Sequence, residues 1–138
     1  MNEDLKNFAK KLNVLYAEDD KNSREETEKI FKLYFKNVDT AADGSEAYEK
    51  LLKNKYDILF TDSSMPKIGG MELIRKAKNI DKDIKCVVIT AHSDVDFLLD
   101  MINLQVDGFL LKPINFQKLT QVLMKLLEAI KAKQIIAH

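Results

Sequence analysis

The stretch Asp57-Ile-Leu-Phe-Thr-Asp-Ser-Ser-Met-Pro66 decides how the rest of the chain is read. Ile58, Leu59 and Phe60 form a short apolar run bounded by polar residues and stopped by Pro66. That is the pattern of a central parallel strand covered on both faces. Asp62 then stands where the strand runs out. In an open α/β sheet the crevice outside the carboxyl ends of the strands is where ligands bind, so a carboxylate there is a candidate reactive group. Three further apolar runs end in matching polar groups. Leu12-Asn-Val-Leu-Tyr-Ala17 leads into Glu18-Asp19-Asp20, Cys86-Val-Val-Ile89 into Thr90-Ala91, and Gly108-Phe-Leu-Leu111 into Lys112-Pro113.

Between these strands the apolar residues recur at helical spacing. Residues 21–36 place Thr27, Ile30, Phe31, Tyr34 and Phe35 on one stripe, with Asp20 or Asn22 as the cap. A short strand at 38–42 leads to the turn signal Asp43-Gly44 and a helix using Ala47, Leu51 and Leu52. Gly69-Gly70 precedes a helix of Met71, Leu73, Ile74 and Ala77; a further helix is expected from Ser93 or Asp94 to Leu104, and a last one from Asn115. Five strand and helix pairs in alternation imply an α/β fold with a parallel sheet and right-handed crossovers.

The 138 residues suit one domain, and 46% apolar content excludes a disordered chain. We divide them into a lead-in helix or arm at 1–11, a core at 12–130 and a helical extension or linker at 131–138. The first segment, with Leu5, Phe8, Ala9 and Leu12 at helical spacing, reads equally as a solvated arm or as a docking or dimer-forming extension. Acidic and basic residues are equal at 22 each, so no net field favours nucleic acid or membrane. Without a membrane-length apolar run or a signal-peptide pattern, a cytoplasmic location is expected. Cys86, the single cysteine, reads as a small core side chain.

With these motifs in hand, residues of about 10–130 resemble the response-regulator receiver domain, the phosphoacceptor half of two-component signalling. The likeness rests on four separated elements in register: Glu18-Asp19, Asp62, Thr90 and Lys112-Pro113. It implies a flavodoxin-like (βα)5 three-layer sandwich with strand order 2-1-3-4-5. It implies Asp62 as phosphoacceptor, Thr90 and Lys112 as its catalytic partners, and a cis peptide at Lys112-Pro113. Mg2+ would sit on Glu18, Asp19, Asp62 and the backbone carbonyl of Ser64, Glu18 being a longer variant of the usual aspartate. Thr90 and Phe109 take the switch positions, and Phe109 lacks the hydroxyl of the tyrosine often found there, so any switch would work by packing alone.

The bare residues support the same chemistry. Three carboxylates at adjacent strand ends disfavour being ionised together, and a divalent cation relieves the conflict. Oxygen donors select a hard ion such as Mg2+. A phosphoryl group passing to a carboxylate needs positioning and charge neutralisation more than covalent work, which Lys112 and the Thr90 hydroxyl can supply.

On this reading the chain is a regulatory phosphoacceptor rather than an enzyme with external turnover. Its expected partners are a histidine kinase or phosphotransfer protein, and a downstream target protein or fused output domain. A homodimer through the fourth core helix, fifth strand and fifth core helix is a further possibility. No direct contact with nucleic acid or membrane is expected. Ser64 and His92 fall where the family tunes the lifetime of the acyl phosphate. Gln105 stands where the family usually has glycine, so it either adopts a left-handed backbone at about 1 kcal/mol or the loop is rebuilt. Two other classes fit less well. A haloacid-dehalogenase-type phosphatase wants a second aspartate where Ser64 stands, and a flavodoxin-like flavin binder wants a neutral phosphate loop where Glu18-Asp19-Asp20 stands.

Overall fold

A computed structural model of the chain describes residues 1–91 and 95–137. Eleven elements follow in order: α1 (Glu3–Ala9), β1 (Asn13–Ala17), α2 (Lys21–Phe31), β2 (Asn37–Ala41), α3 (Gly44–Lys53), β3 (Ile58–Asp62), α4 (Gly70–Ile80), β4 (Lys85–Thr90), α5 (Val95–Asn103), β5 (Gly108–Leu111) and α6 (Phe116–Ala137). The strands form one parallel sheet in the order β2-β1-β3-β4-β5, the flavodoxin-like arrangement. All five residues of β3 are buried, as a central strand covered on both faces requires.

Alternation along the strands divides the core into two layers. Val14, Tyr16, Ile58, Phe60, Val87 and Ile89 face one side, with Phe31, Leu119, Leu123 and Leu127 from the helices. Leu15, Ala17, Leu59, Cys86 and Val88 face the other, against Ala47, Leu51, Leu73, Ile74 and Met101. Cys86 is fully buried, and that burial pushes its thiol up to about 12. Helix α1 is not a solvated arm. Asn2 caps it by accepting from the Leu5 N–H at 2.9 Å, and Leu5 and Ala9 are buried in the same layer as Leu126 and Leu127 of α6.

One boundary differs from expectation. Helix α2 stops at Phe31, four residues short of the apolar stripe's end at Phe35, because the chain tightens into a turn in which Leu33 N–H donates to Ile30 O and Tyr34 N–H to Phe31 O. Phe35 still reaches the core, and Leu33 is left exposed. Of the two proposed caps for α2, Asp20 is the one used, accepting from Ser23 N–H at 2.8 Å. The proposed cap of α5, Ser93 or Asp94, lies outside the described residues, as does His92.

The end of α5 resolves the Gln105 question. Gln105 has φ 56°, its N–H donates to Ile102 O, and Val106 N–H donates to Met101 O. That is a complete Schellman motif, closed by packing of Met101 and Val106 into one core layer. The loop is kept and the left-handed conformation is tolerated.

Two glycines bring backbone to backbone around the segment after β3. A Cβ on Gly44 would lie 2.0 Å from Ile68 O, and one on Gly70 would lie 2.1 Å from Asp62 O. The loop carrying Asp62 into α4 is thus clamped between the starts of two helices. Two stability effects of opposite sign are predicted from urea denaturation. Gln105→Gly should stabilise by about 0.5–1 kcal/mol by removing the left-handed penalty, while Gly70→Ala should cost at least about 2 kcal/mol because the atoms its Cβ would meet, in Asp62 and Ser63, are all backbone and cannot turn away.

Candidate functional site

The carboxyl ends of β1, β3, β4 and β5 lie side by side along the sheet, so the polar residues that follow each strand share one edge. After β1 the chain is held open by its own neighbours. Glu18 N–H donates to Ala41 O at 3.0 Å, and Arg24 of α2 reaches back with Nη1 to Glu18 O at 2.9 Å. This directs a buried glutamate, only 1% exposed, into the sheet edge. Beneath it the Tyr16 hydroxyl donates to Glu18 Oε1 at 3.4 Å. Asp19 beside it is exposed.

Asp62 ends β3 and is 8% exposed. Glu18, Asp19 and Asp62 each offer one oxygen, and these oxygens lie within 4.8 Å of one another. Lys112, just after β5, spans two of them: its Nζ lies 2.5 Å from Glu18 Oε1 and 3.2 Å from Asp62 Oδ1. The Lys112 N–H donates to Thr90 O at 2.9 Å, which ties the start of that segment to the end of β4. The Lys112-Pro113 peptide is cis.

The charges explain the titration of the pair. Burial, and then the Asp62 charge, hold the Glu18 carboxyl above the usual carboxylate range, although the hydrogen bond from Lys112 pulls the other way. Burial pulls the Lys112 ammonium down, but its hydrogen bond to Glu18 and the charge of Asp62 outweigh this and raise it. Lys112 therefore stays a cation between two acids.

Thr90 is fully buried at the end of β4, and its Oγ1 lies 2.7 Å from the Ser63 Oγ. Ser64, next in the loop, donates its N–H to Asp62 Oδ2 at 3.2 Å. Phe109 pairs with Val88 and Leu111 with Thr90 in parallel register, so Thr90 and Phe109 lie on the same face of the sheet. Phe109 is half-buried and packs against the core layer of α3, α4 and α5.

The residues named from sequence thus fall into two groups. Glu18, Asp19, Asp62 and Lys112 meet around one small volume, and Thr90 joins them through Ser63 and the Lys112 main chain. Phe109 stands apart, one strand over and facing a helix layer. Sequence reading passed over Tyr16, Arg24 and Ser63. A tyrosine in an otherwise aliphatic buried strand was a usable signal, since its hydroxyl needs a partner. Nothing in the local sequence marks Ser63 or Arg24, whose partners depend on how β3, β4 and α2 are placed.

Comparison with known proteins agrees with this arrangement. A sequence profile of the response regulator receiver domain matches residues 14–124. The response regulator receiver protein CpdR of Brucella abortus is 33% identical over 116 residues, covering 84% of this chain and 97% of that protein. The transcriptional regulatory protein RprY of Bacteroides fragilis is 26% identical over 90% of this chain, which spans 52% of that longer relative. Another longer relative, from Bacillus subtilis, is spanned over 27% of its length. Among solved structures, the REC domain of AraT, a response regulator from Geobacillus stearothermophilus, has a TM-score of 0.80 at 33% identity, covering 89% of this chain and 98% of that one.

Lys112 is the group that neutralises the buried acids when no metal is added. Replacing it by methionine is predicted to lower the thermal midpoint in chelator, and added Mg2+ should recover more of that loss than it adds to the wild type. Equal Mg2+ increments in the two proteins, measured by differential scanning calorimetry, would show that Lys112 and a cation do not share this charge.

Proposed function

The chain belongs to the response-regulator receiver family of two-component signalling, and we propose from that premise that Asp62 accepts a phosphoryl group from the phosphohistidine of a kinase or phosphotransfer protein. The observation that carries this reading is the placement of the Asp62 carboxylate at a strand end, 3.2 Å from Lys112 and within an acidic cluster. A carboxylate oxygen of Asp62 attacks phosphorus. The P–N bond to the histidine breaks, its electron pair stays on the imidazole nitrogen, and an acyl phosphate forms.

The donor set suits a hard divalent cation. Three carboxylates converge, and no imidazole or thiolate joins them among the described residues. Glu18, Asp19, Asp62 and the backbone carbonyl of Ser64 would hold Mg2+. Bound there, it would neutralise charge on the phosphoryl oxygens. Lys112 supplies a second positive charge, on a flexible stem able to follow an oxygen as it arrives. The Thr90 hydroxyl supplies a neutral donor.

The output is a change in surface rather than a chemical product. Thr90 turning toward a phosphoryl group leaves room on its face of the sheet, and Phe109 repacks into it, altering the surface of α5, β5 and α6. Exposed apolar side chains lie on this surface at Val95, Leu99, Ile102, Leu111 and Phe116, where a target protein, an attached output domain or a second copy would dock. No helix among the described residues is long and apolar enough to cross a membrane, and a cytoplasmic site of action fits partners of this kind.

Labelling with acetyl phosphate tests the acceptor. Wild-type protein with Mg2+ should gain one phosphoryl group by mass spectrometry, and Asp62→Asn or excess chelator should each abolish it. Continued labelling of the Asn variant would remove Asp62 from this role. Lys112→Ala is expected to leave the fold intact while uncoupling phosphorylation from NMR shifts around Phe109.

A further inference from the structure

The hydrogen bond between Ser63 and Thr90 is a contact that phosphoacceptor chemistry does not itself require. Ser63 is the residue after Asp62, half-buried at the head of the clamped loop, and its Oγ lies 2.7 Å from the Thr90 Oγ1. The loop that carries it has little freedom to move away. Its far end is held by Gly70 N–H donating to Ser63 O at 3.0 Å and by the close approach of Gly70 to Asp62 O. Ser63 is therefore presented to Thr90 by backbone that is fixed at both sides.

A threonine hydroxyl has one proton. If it points that proton at Ser63, it cannot offer it to a phosphoryl oxygen, and if it accepts from Ser63, its oxygen is still oriented by that bond. In the first case the Thr90 hydroxyl has to turn its proton away from Ser63 before it can donate to an acceptor-only anion; in the second, the Ser63 bond holds the Thr90 oxygen in its resting position. We propose that Ser63 is a positioning residue that latches Thr90 in its resting orientation, so that phosphorylation of Asp62 replaces the Ser63–Thr90 bond by a bond from Thr90 to the phosphoryl group. The inference rests on the phosphoacceptor reading of Asp62 given above.

The energetic ordering makes the latch one-directional. A hydroxyl-to-hydroxyl bond is neutral, whereas a hydroxyl donating to a phosphoryl oxygen makes a charge-assisted bond of roughly twice the strength. Before phosphorylation, turning Thr90 loses a bond. After phosphorylation, it gains a better one. Two orientations of one side chain, biased by charge on Asp62, form a two-state element whose resting population Ser63 sets. Removing one neutral hydrogen bond typically changes such a population about fivefold.

Beryllium fluoride with Mg2+ forms a tetrahedral mimic of an acyl phosphate on a carboxylate and reads this equilibrium without turnover. Isothermal titration should show Ser63→Ala binding beryllium fluoride about fivefold more tightly than wild type, because the resting state has lost its latch. In a Thr90→Val background, which removes the same bond from the other side while keeping the side-chain shape, Ser63→Ala should have no effect. Unchanged affinity in Ser63→Ala, or the same gain with and without the Thr90 hydroxyl, would overturn the latch. A loss of affinity would overturn it too, by putting the Ser63 hydroxyl on the phosphoryl group itself. If wild-type protein and Ser63→Ala both fail to bind beryllium fluoride, the failure lies with the acceptor role of Asp62; binding by wild type with no response to Ser63→Ala fails the latch alone.

Discussion

Everything at the carboxyl edge of the sheet follows from the crowding of Glu18 and Asp62. Two unit charges within 4.8 Å repel by at least about 3 kcal/mol at an effective dielectric of about 20, and one of these carboxylates is almost wholly shielded from water. Such a pair persists in a fold only with positive charge beside it. Lys112 supplies that charge, bridging both acids from the far side of β4. The requirement sets the rest of the edge: β1, β3 and β5 must end at the same level, and the segment after β5 must turn back across the sheet.

The scaffold meets this demand by rigidity. The central strand is buried along its whole length, both faces of the sheet carry apolar layers, and the loop after Asp62 is caught between the starts of α3 and α4 at Gly44 and Gly70. Arg24 pins the acidic loop from α2, and the Tyr16 hydroxyl meets Glu18 from below. Catalytic geometry in phosphoryl transfer depends on placement, so a site built where several rigid elements end is suited to it. Thr90, tied to Ser63 at the end of β4, is the residue through which we propose that a signal enters the core.

Helix α1 extends this economy of support to the opposite end of the molecule. Leu5 and Ala9 complete the core layer that α6 shares with α2, so the amino-terminal segment is part of the packed body. Its cap at Asn2 came only with the structure; its apolar face was visible in the sequence. Whether that face met a partner or the chain's own last helix was not, because an amphipathic stripe states that something covers it and leaves open what.

The sequence by itself determined the class of fold, the order of its elements and the identity of the acidic and basic groups at the strand ends. Period-two and period-3.6 patterns are local, and the turn and cap residues Asp20, Asp43, Gly69 and Gly70 punctuate them within a residue or two. Tertiary structure alone decided where α2 gives way to a tighter turn, since periods of 3 and 3.6 diverge too little over five residues to be separated by eye. It alone settled that Gln105 accepts a left-handed backbone, because the Schellman bonds and the Met101–Val106 contact that offset the strain arise only once α5 is docked. It alone paired Ser63 with Thr90 and Arg24 with the Glu18 carbonyl. Those contacts join residues on different elements, and a hydroxyl or a guanidinium carries no local mark of the partner that packing will bring to it.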